Sequence, residues 1–210
     1  MPRVTALRER PRDHVLVALD GEAWRELPAD AVVRAGLSVG RELDRSYLRL
    51  LRRELRRSEA LAIARRALRS RDLSVCKVEE RLARAGVPPS ARAEALGALR
   101  EGGLLDDERF AAATAQALAG RGWGDAAIAL RLEQLGVGEA PTQAATAGLE
   151  RESERARALL ERRGRTPATA RWLARRGFAD EVVEEAFESL VADRSGARYD
   201  LRASSDIFPA

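Results

Sequence analysis

The side chains in this sequence best suited to chemistry are one histidine, one cysteine, a run of three acids and several ranks of arginine. His14 opens a strand-like run, and a Ser-His-Asp relay built on it would need partners that the sequence does not mark. Cys76 lies beside Val75 and Val78 in a helical pattern, which suits a buried or half-buried thiol better than a nucleophile. A lone cysteine also excludes an internal disulfide and a Cys-rich zinc site. Asp106, Asp107 and Glu108 invite a metal, but helix capping explains them better. With Asp106 as N-cap, the next two acids fall in the first turn, where negative charge complements the helix dipole, and Leu105 and Phe110 take the hydrophobic-staple positions. There is no Gly-Lys phosphate loop and no carboxylate pair outside cap positions. No catalytic residue, metal ligand or cofactor is therefore expected, and binding is the chemistry that remains.

The arginines are where binding would reside. Lys and Arg total 37 against 33 Asp and Glu, for a net charge of +4. Lys77 is the only lysine, and the planar guanidinium fork suits phosphate and carboxylate partners. Arg45, Arg49, Arg52, Arg53 and Arg56 recur at helical spacing on one side of a segment whose other side carries Tyr47, Leu48, Leu51 and Leu55, with Leu50 at the edge. A solvated face usually mixes signs to gain i,i+4 pairs. Here only Glu54 interrupts the row, so it points to an anionic partner. The partner-binding residues expected are Arg49, Arg52, Arg53 and Arg56, continued by Arg65, Arg66 and Arg69. A second cluster comprises Arg162, Arg163, Arg165, Arg175 and Arg176. Both clusters could meet an acidic protein surface or DNA phosphate, and the low net charge favours protein.

The elements that hold these residues are mainly helical. Hydrophobic residues make up 45% of the chain but aromatics only 4%, so Ala and Leu carry the packing, which suits close helix contacts. Val4–Arg10 and His14–Leu19 read as strands, Asp20-Gly21 as a tight turn, and Glu22–Leu27 can return as a third short strand. Pro28-Ala29-Asp30 opens a short helix that ends at Gly36. No apolar run reaches membrane-spanning length and no signal-peptide core follows the N-terminus, so a cytoplasmic, monomeric protein is expected, with no membrane partner.

From Asp44 the pattern is helical and contains a repeat. Val78–Val87, Ile128–Val137 and Thr169–Phe178 each lead with an apolar or small residue, place Leu four later and Gly four after that, and close on an apolar residue. The three glycines, Gly86, Gly136 and Gly177, are 50 and 41 residues apart, too far and too unequal for tetratricopeptide or ankyrin arrays. Each glycine should stop a helix in a left-handed cap. Ser74 and Asp125 are expected N-caps, and Thr166-Pro167 is an N-cap followed by a first-turn proline. Third helices are expected at Ser90–Glu101, about Ala140–Leu149, and Asp180–Ala192. The fold class is mainly α: tandem three-helix repeat modules in an extended array with a small N-terminal β-hairpin element. The expected divisions are 1–57 (hairpin element plus basic helix), repeats at 58–105, 106–149 and 150–193, and a flexible tail at 194–210.

The segment from Gly102 to Ala111, Gly-Gly-Leu-Leu-Asp-Asp-Glu-Arg-Phe-Ala, resembles the signature of the RecX family. The glycine-marked helix after it, with Gly124, Ile128, Leu132 and Gly136, is similar as well. So are the tandem three-helix modules and the N-terminal stretch with Leu19-Asp20-Gly21-Glu22 and Gly36–Asp44. Trp123 and the Ala-rich third helix of the second module depart from many members. The resemblance implies a regulator without catalytic residues, active in homologous recombination, DNA repair and the SOS response. It would bind RecA recombinase and the RecA filament on single-stranded DNA and mostly inhibit ATP hydrolysis, strand exchange and co-protease activity, with direct DNA binding weak. The rival reading from the residues is a stand-alone basic helical nucleic-acid-binding protein; against it stands the absence of a helix-turn-helix or an aromatic stacking platform.

Overall fold

Alternating Val and Leu residues close the N-terminal stretch into a three-stranded antiparallel sheet, β1 (Val4–Arg10), β2 (His14–Leu19) and β3 (Glu22–Pro28), in that spatial order. The hairpin thus carries the third strand that Glu22–Leu27 allowed. Asp20 and Gly21, at φ +51 and +95, make the left-handed two-residue turn that matches strand twist. One sheet face contributes Val4, Val17 and Leu27 to a core completed by α1 (Ala29–Arg34) and the start of α2 (Arg45–Leu68), where Tyr47 and Leu51 are buried. The Asp44 carboxylate caps α2 by accepting the Tyr47 N–H at 2.6 Å, and the Tyr47 hydroxyl donates to the Ala35 carbonyl at 2.7 Å. The computed structural model describes residues 1–188.

A polar network holds α1 against α2. Arg34 pairs with Asp30 at 2.8 Å and with Glu54 at 2.9 Å, and Ser58 donates to Asp30 at 2.6 Å. Burial opposes charge on Asp30, but the hydrogen bonds from Ser58 and Arg34 outweigh it and hold its carboxyl below the ordinary value. A carboxyl lowered in the folded state contributes stability that is full above its unfolded pKa and is lost as pH falls through the folded one. Asp30→Asn should therefore make the packing of α1 on α2 less stable at neutral pH and flatten its loss of stability below about pH 4, the ordinary carboxyl range. Thermal melts at several pH values check this.

The chain divides by its contacts into two compact units, with the division between Asp106 and Asp107. In the first, α2 runs unbroken past residue 57, where the sequence suggested a module edge. Its second half buries Ala60, Leu61 and Ala64 against α3 (Val75–Arg84) and α4 (Pro89–Glu101). The second unit contains α5 (Asp107–Gly120), α6 (Asp125–Gln134), α7 (Glu139–Ala147), α8 (Glu152–Arg163) and α9 (Pro167–Arg175). A further helix, α10, covers residues 180–188. The rest of the expected helix to Ala192, and the tail 194–210, lie outside the described residues.

The repeat is built on one physical device. Leu82, Leu132 and Leu173 are fully buried at equivalent places in α3, α6 and α9. Gly86, Gly136 and Gly177 follow at φ +76, +75 and +81. After each glycine, the next N–H bonds back to that leucine's carbonyl: Val87 to Leu82 at 3.1 Å, Val137 to Leu132 at 3.1 Å and Phe178 to Leu173 at 3.2 Å. The glycine N–H bonds inside that ring, as from Gly86 to Ala83 at 2.9 Å. This is the Schellman cap, and its closing apolar residue folds onto the helix it has just left. Ser74 accepts the Lys77 N–H at 3.3 Å and Thr166 accepts the Thr169 N–H at 3.2 Å, as their N-cap positions require. α5 begins at Asp107, which leaves Asp106 in the N-cap place with two acids in the first turn.

Candidate partner-binding surface

α2 carries the basic row. Arg45, Arg49, Arg52, Arg53 and Arg56 are all exposed, opposite the buried Tyr47 and Leu51. Glu54 does not interrupt them. It lies on the buried face, 7% exposed, where Arg34 neutralises it. Half a helical turn separates the two faces, so Glu54, though next to Arg53 in sequence, is not a member of the row. Among the described residues, Arg53 is the one member of the row with a carboxylate: it pairs with Glu94 on α4 at 2.8 Å. Arg49, Arg52 and Arg56 have no acidic partner among the described residues, which leaves three guanidinium forks along one helix edge for a partner.

The continuation of the row is not straight. Arg65, Arg66 and Arg69 are exposed, but Arg65 is nine residues beyond Arg56, about two and a half turns, which places it on the far side of α2. Arg66 turns toward α3, where Ile63, Ala67, Ser70 and Arg81 line a shallow cavity with it. α2 therefore presents two separate basic faces.

In the second unit, the arginines of the second cluster separate by role. Arg163 stacks on the Trp172 ring at 4.2 Å, and Arg176 lies over Trp172 at 5.0 Å and Trp123 at 5.8 Å. Indole faces attract guanidinium, so these two are held by the fold. Arg162 and Arg175 are exposed and Arg165 is half-buried. No local pattern marks this stacking, because Trp123 and Trp172 stand 49 residues apart.

A residue that sequence reasoning missed organises this unit. Arg155 is 8% exposed and donates to the Trp123 carbonyl at 2.8 Å and the Glu150 carbonyl at 3.0 Å, while pairing with the Asp125 carboxylate. Asp125 is accordingly not the N-cap of α6. That place belongs to Gly124, and the freed Asp125 N–H is taken by the Glu152 carboxylate of α8 at 2.6 Å. Asp125 spends its own carboxylate on Arg155 because a buried guanidinium needs an anion. Arg155→Ala should cost roughly 2–4 kcal/mol, discounted from a fully buried pair because Asp125 is partly exposed. Chemical denaturation followed by tryptophan fluorescence reads the loss.

The groups that could do covalent chemistry are placed for structure. Cys76 is half-buried with its Sγ 3.8 Å from Glu80. Burial first, and the Glu80 charge second, push its thiol up, which keeps it protonated. The His14 Nδ1 lies 2.7 Å from the Arg12 carbonyl. Among the described residues, no cluster of three or more His, Cys, Asp or Glu could hold a metal, and no helix is long and apolar enough to cross a membrane.

Comparison with known proteins gives the family. The chain is 33% identical over 132 residues to the regulatory protein RecX of Xanthomonas axonopodis pv. citri (strain 306), covering 62% of this chain and 81% of the relative. The same identity and coverage hold for the regulatory protein RecX of Xanthomonas citri. No family model matches. Among solved structures, a crystal structure of regulatory protein RecX superposes with a TM-score of 0.75 at 19% identity, over 88% of this chain and 98% of that one. RecX from Lactobacillus salivarius superposes at 0.59 and 16% identity, over 65% of this chain and 97% of that one. The fold matches across nearly the full length of both structures, and the sequence match spans most of each curated relative. The chain belongs to the RecX family.

Proposed function

We propose that this chain is a regulator of RecA recombinase that binds RecA and the RecA filament on single-stranded DNA and inhibits its ATPase, recombinase and co-protease activities. The observation that carries the reading is the kinship with relatives named regulatory protein RecX, at 33% identity over 81% of their length. The arginine row supports it with a mechanism. Arg49, Arg52 and Arg56 are exposed, share one helix edge and have no acidic partner among the described residues, so they are ready to meet one on another molecule. Small modules spread along a filament would add many weak contacts into one firm engagement. The module divisions at 105/106 and 149/150 belong to the same proposal, as does the one at 57/58, where the continuous α2 passes from the N-terminal element into the first repeat and serves both.

An acidic recombinase surface is the favoured target of the row, since a net charge of +4 is low for a protein held by phosphate alone. The alternative, a stand-alone nucleic-acid-binding protein, draws on the same three arginines. Co-sedimentation with RecA filaments formed on oligo(dT), beside anisotropy on bare oligo(dT), separates the two. The regulator should bind filaments more tightly than bare DNA. Equal affinity for both, with a steep salt dependence, would favour the alternative.

A further inference from the structure

A groove on the second unit differs in kind from the arginine rows. It lies along α6 and α7, encloses about 530 Å3 and is lined by Ala126, Ala129, Leu130, Val137, Glu133 and Glu139. Leu130 is 55% exposed at its rim. A single exposed leucine carries no message. The repeat gives this one its meaning. α3, α6 and α9 align on their buried leucines and capping glycines, and at the place of Leu130 the other two carry Glu80 and Arg171. At the place of Ala129 they carry Glu79 and Ala170. The cores of the three modules close on other residues, so the fold does not call for an apolar side chain there.

The chemistry of the groove selects its occupant. No arginine or lysine lines it, and two carboxylates do. Glu139 accepts a hydrogen bond from Gln143 at 2.9 Å, and neither Glu133 nor Glu139 pairs with a basic side chain among the described residues. A phosphate backbone would be repelled here. An apolar side chain with a lysine or arginine beside it would bury Leu130 and meet both acids. We infer that this groove docks such a basic-flanked apolar segment on the recombinase surface. The inference rests on the proposed function and adds to it a second contact, opposite in sign to the α2 row. A partner must then offer acid to one unit and base to the other, which gives engagement a direction and rejects DNA as the occupant of the groove.

Two variants test it: Leu130→Arg, which puts at this place the residue that α9 already carries there, and the pair Glu133→Lys with Glu139→Lys. Affinity is measured for labelled RecA filaments on oligo(dT) and for bare oligo(dT), with a thermal melt of each variant. Both variants should bind filaments about tenfold or more weakly, while binding to bare oligo(dT) holds or rises with the added positive charge. Filament affinity equal to the parent's in Leu130→Arg would overturn the groove and leave the proposed function standing. A parent that binds no filament would overturn both. Should Leu130→Arg melt lower than the parent, the surface glutamate pair decides by the same criterion.

Discussion

Replacing Gly124 by Ala should destabilise the second unit by roughly 3 kcal/mol or more, a loss on the order of 10–20 °C in melting temperature for a unit of this size. The cause is a backbone contact without slack. The Gly124 N–H donates to the Arg176 carbonyl at 2.8 Å. A methyl group on Gly124 would lie 2.3 Å from the carbonyl carbon and oxygen of Gly177 and from the Phe178 nitrogen. Backbone atoms cannot rotate away, so α6 and the end of α9 would have to part. Gly177→Ala should be about as damaging, since its Cβ would meet Ala127 Cβ at 2.5 Å and adopt φ +81 as well. Gly86→Ala is the control. It has the same left-handed φ, at +76, but open space around it, and should cost only about 1 kcal/mol. Thermal or denaturant unfolding of the three variants ranks them.

The second large effect concerns binding. Reversing Arg49, Arg52 and Arg56 together to Glu should leave the fold intact, because all three are exposed and the buried face of α2 is untouched. Arg53 is left out deliberately. It pairs with Glu94, and a glutamate there would set two carboxylates together across the α2–α4 contact. At about 1 kcal/mol per reversed charge at a solvated interface, filament affinity should fall on the order of a hundredfold. If the arginines meet acidic recombinase surface, binding to bare single-stranded DNA should hardly change. If they meet phosphate, bare-DNA affinity should fall too, with a salt slope shallower by about 0.7 per lost contact. Filament affinity equal to the parent's would make the row a solvated face and shift attention to Arg162 and Arg175.

Much of this molecule was legible in its sequence because local rules determine it. Helix periodicity, the Schellman glycines and the caps at Ser74 and Thr166 act within a few residues, and each left a pattern at fixed spacing. The sheet was marked by two strand-like runs, Val4–Arg10 and His14–Leu19, and by the Asp20-Gly21 turn that follows them. What was not legible depends on residues far apart in the chain. Arg155 reads as one more arginine on a charged helix, yet it joins Trp123, Asp125 and Glu150 because α8 packs beside the start of α6. Glu54 looks like part of the arginine row until Arg34, 20 residues earlier, is seen to hold it on the buried face. The same limit applies to the candidate surface. Composition pointed to arginine, but only tertiary neighbours separate Arg53, held by Glu94, and Arg163 and Arg176, stacked on tryptophan, from Arg49, Arg52 and Arg56. Leu130 passed unremarked because its neighbours in sequence fit an ordinary helix.

The most direct test of the proposed regulation is RecA-dependent ATP hydrolysis on single-stranded DNA as the purified chain is titrated in. Hydrolysis should fall to a plateau at concentrations that leave bare DNA unbound, and the Arg49, Arg52 and Arg56 reversal should move that titration to higher concentration. Hydrolysis that stays level while the folded parent chain is added in excess would contradict regulation of the recombinase by this protein.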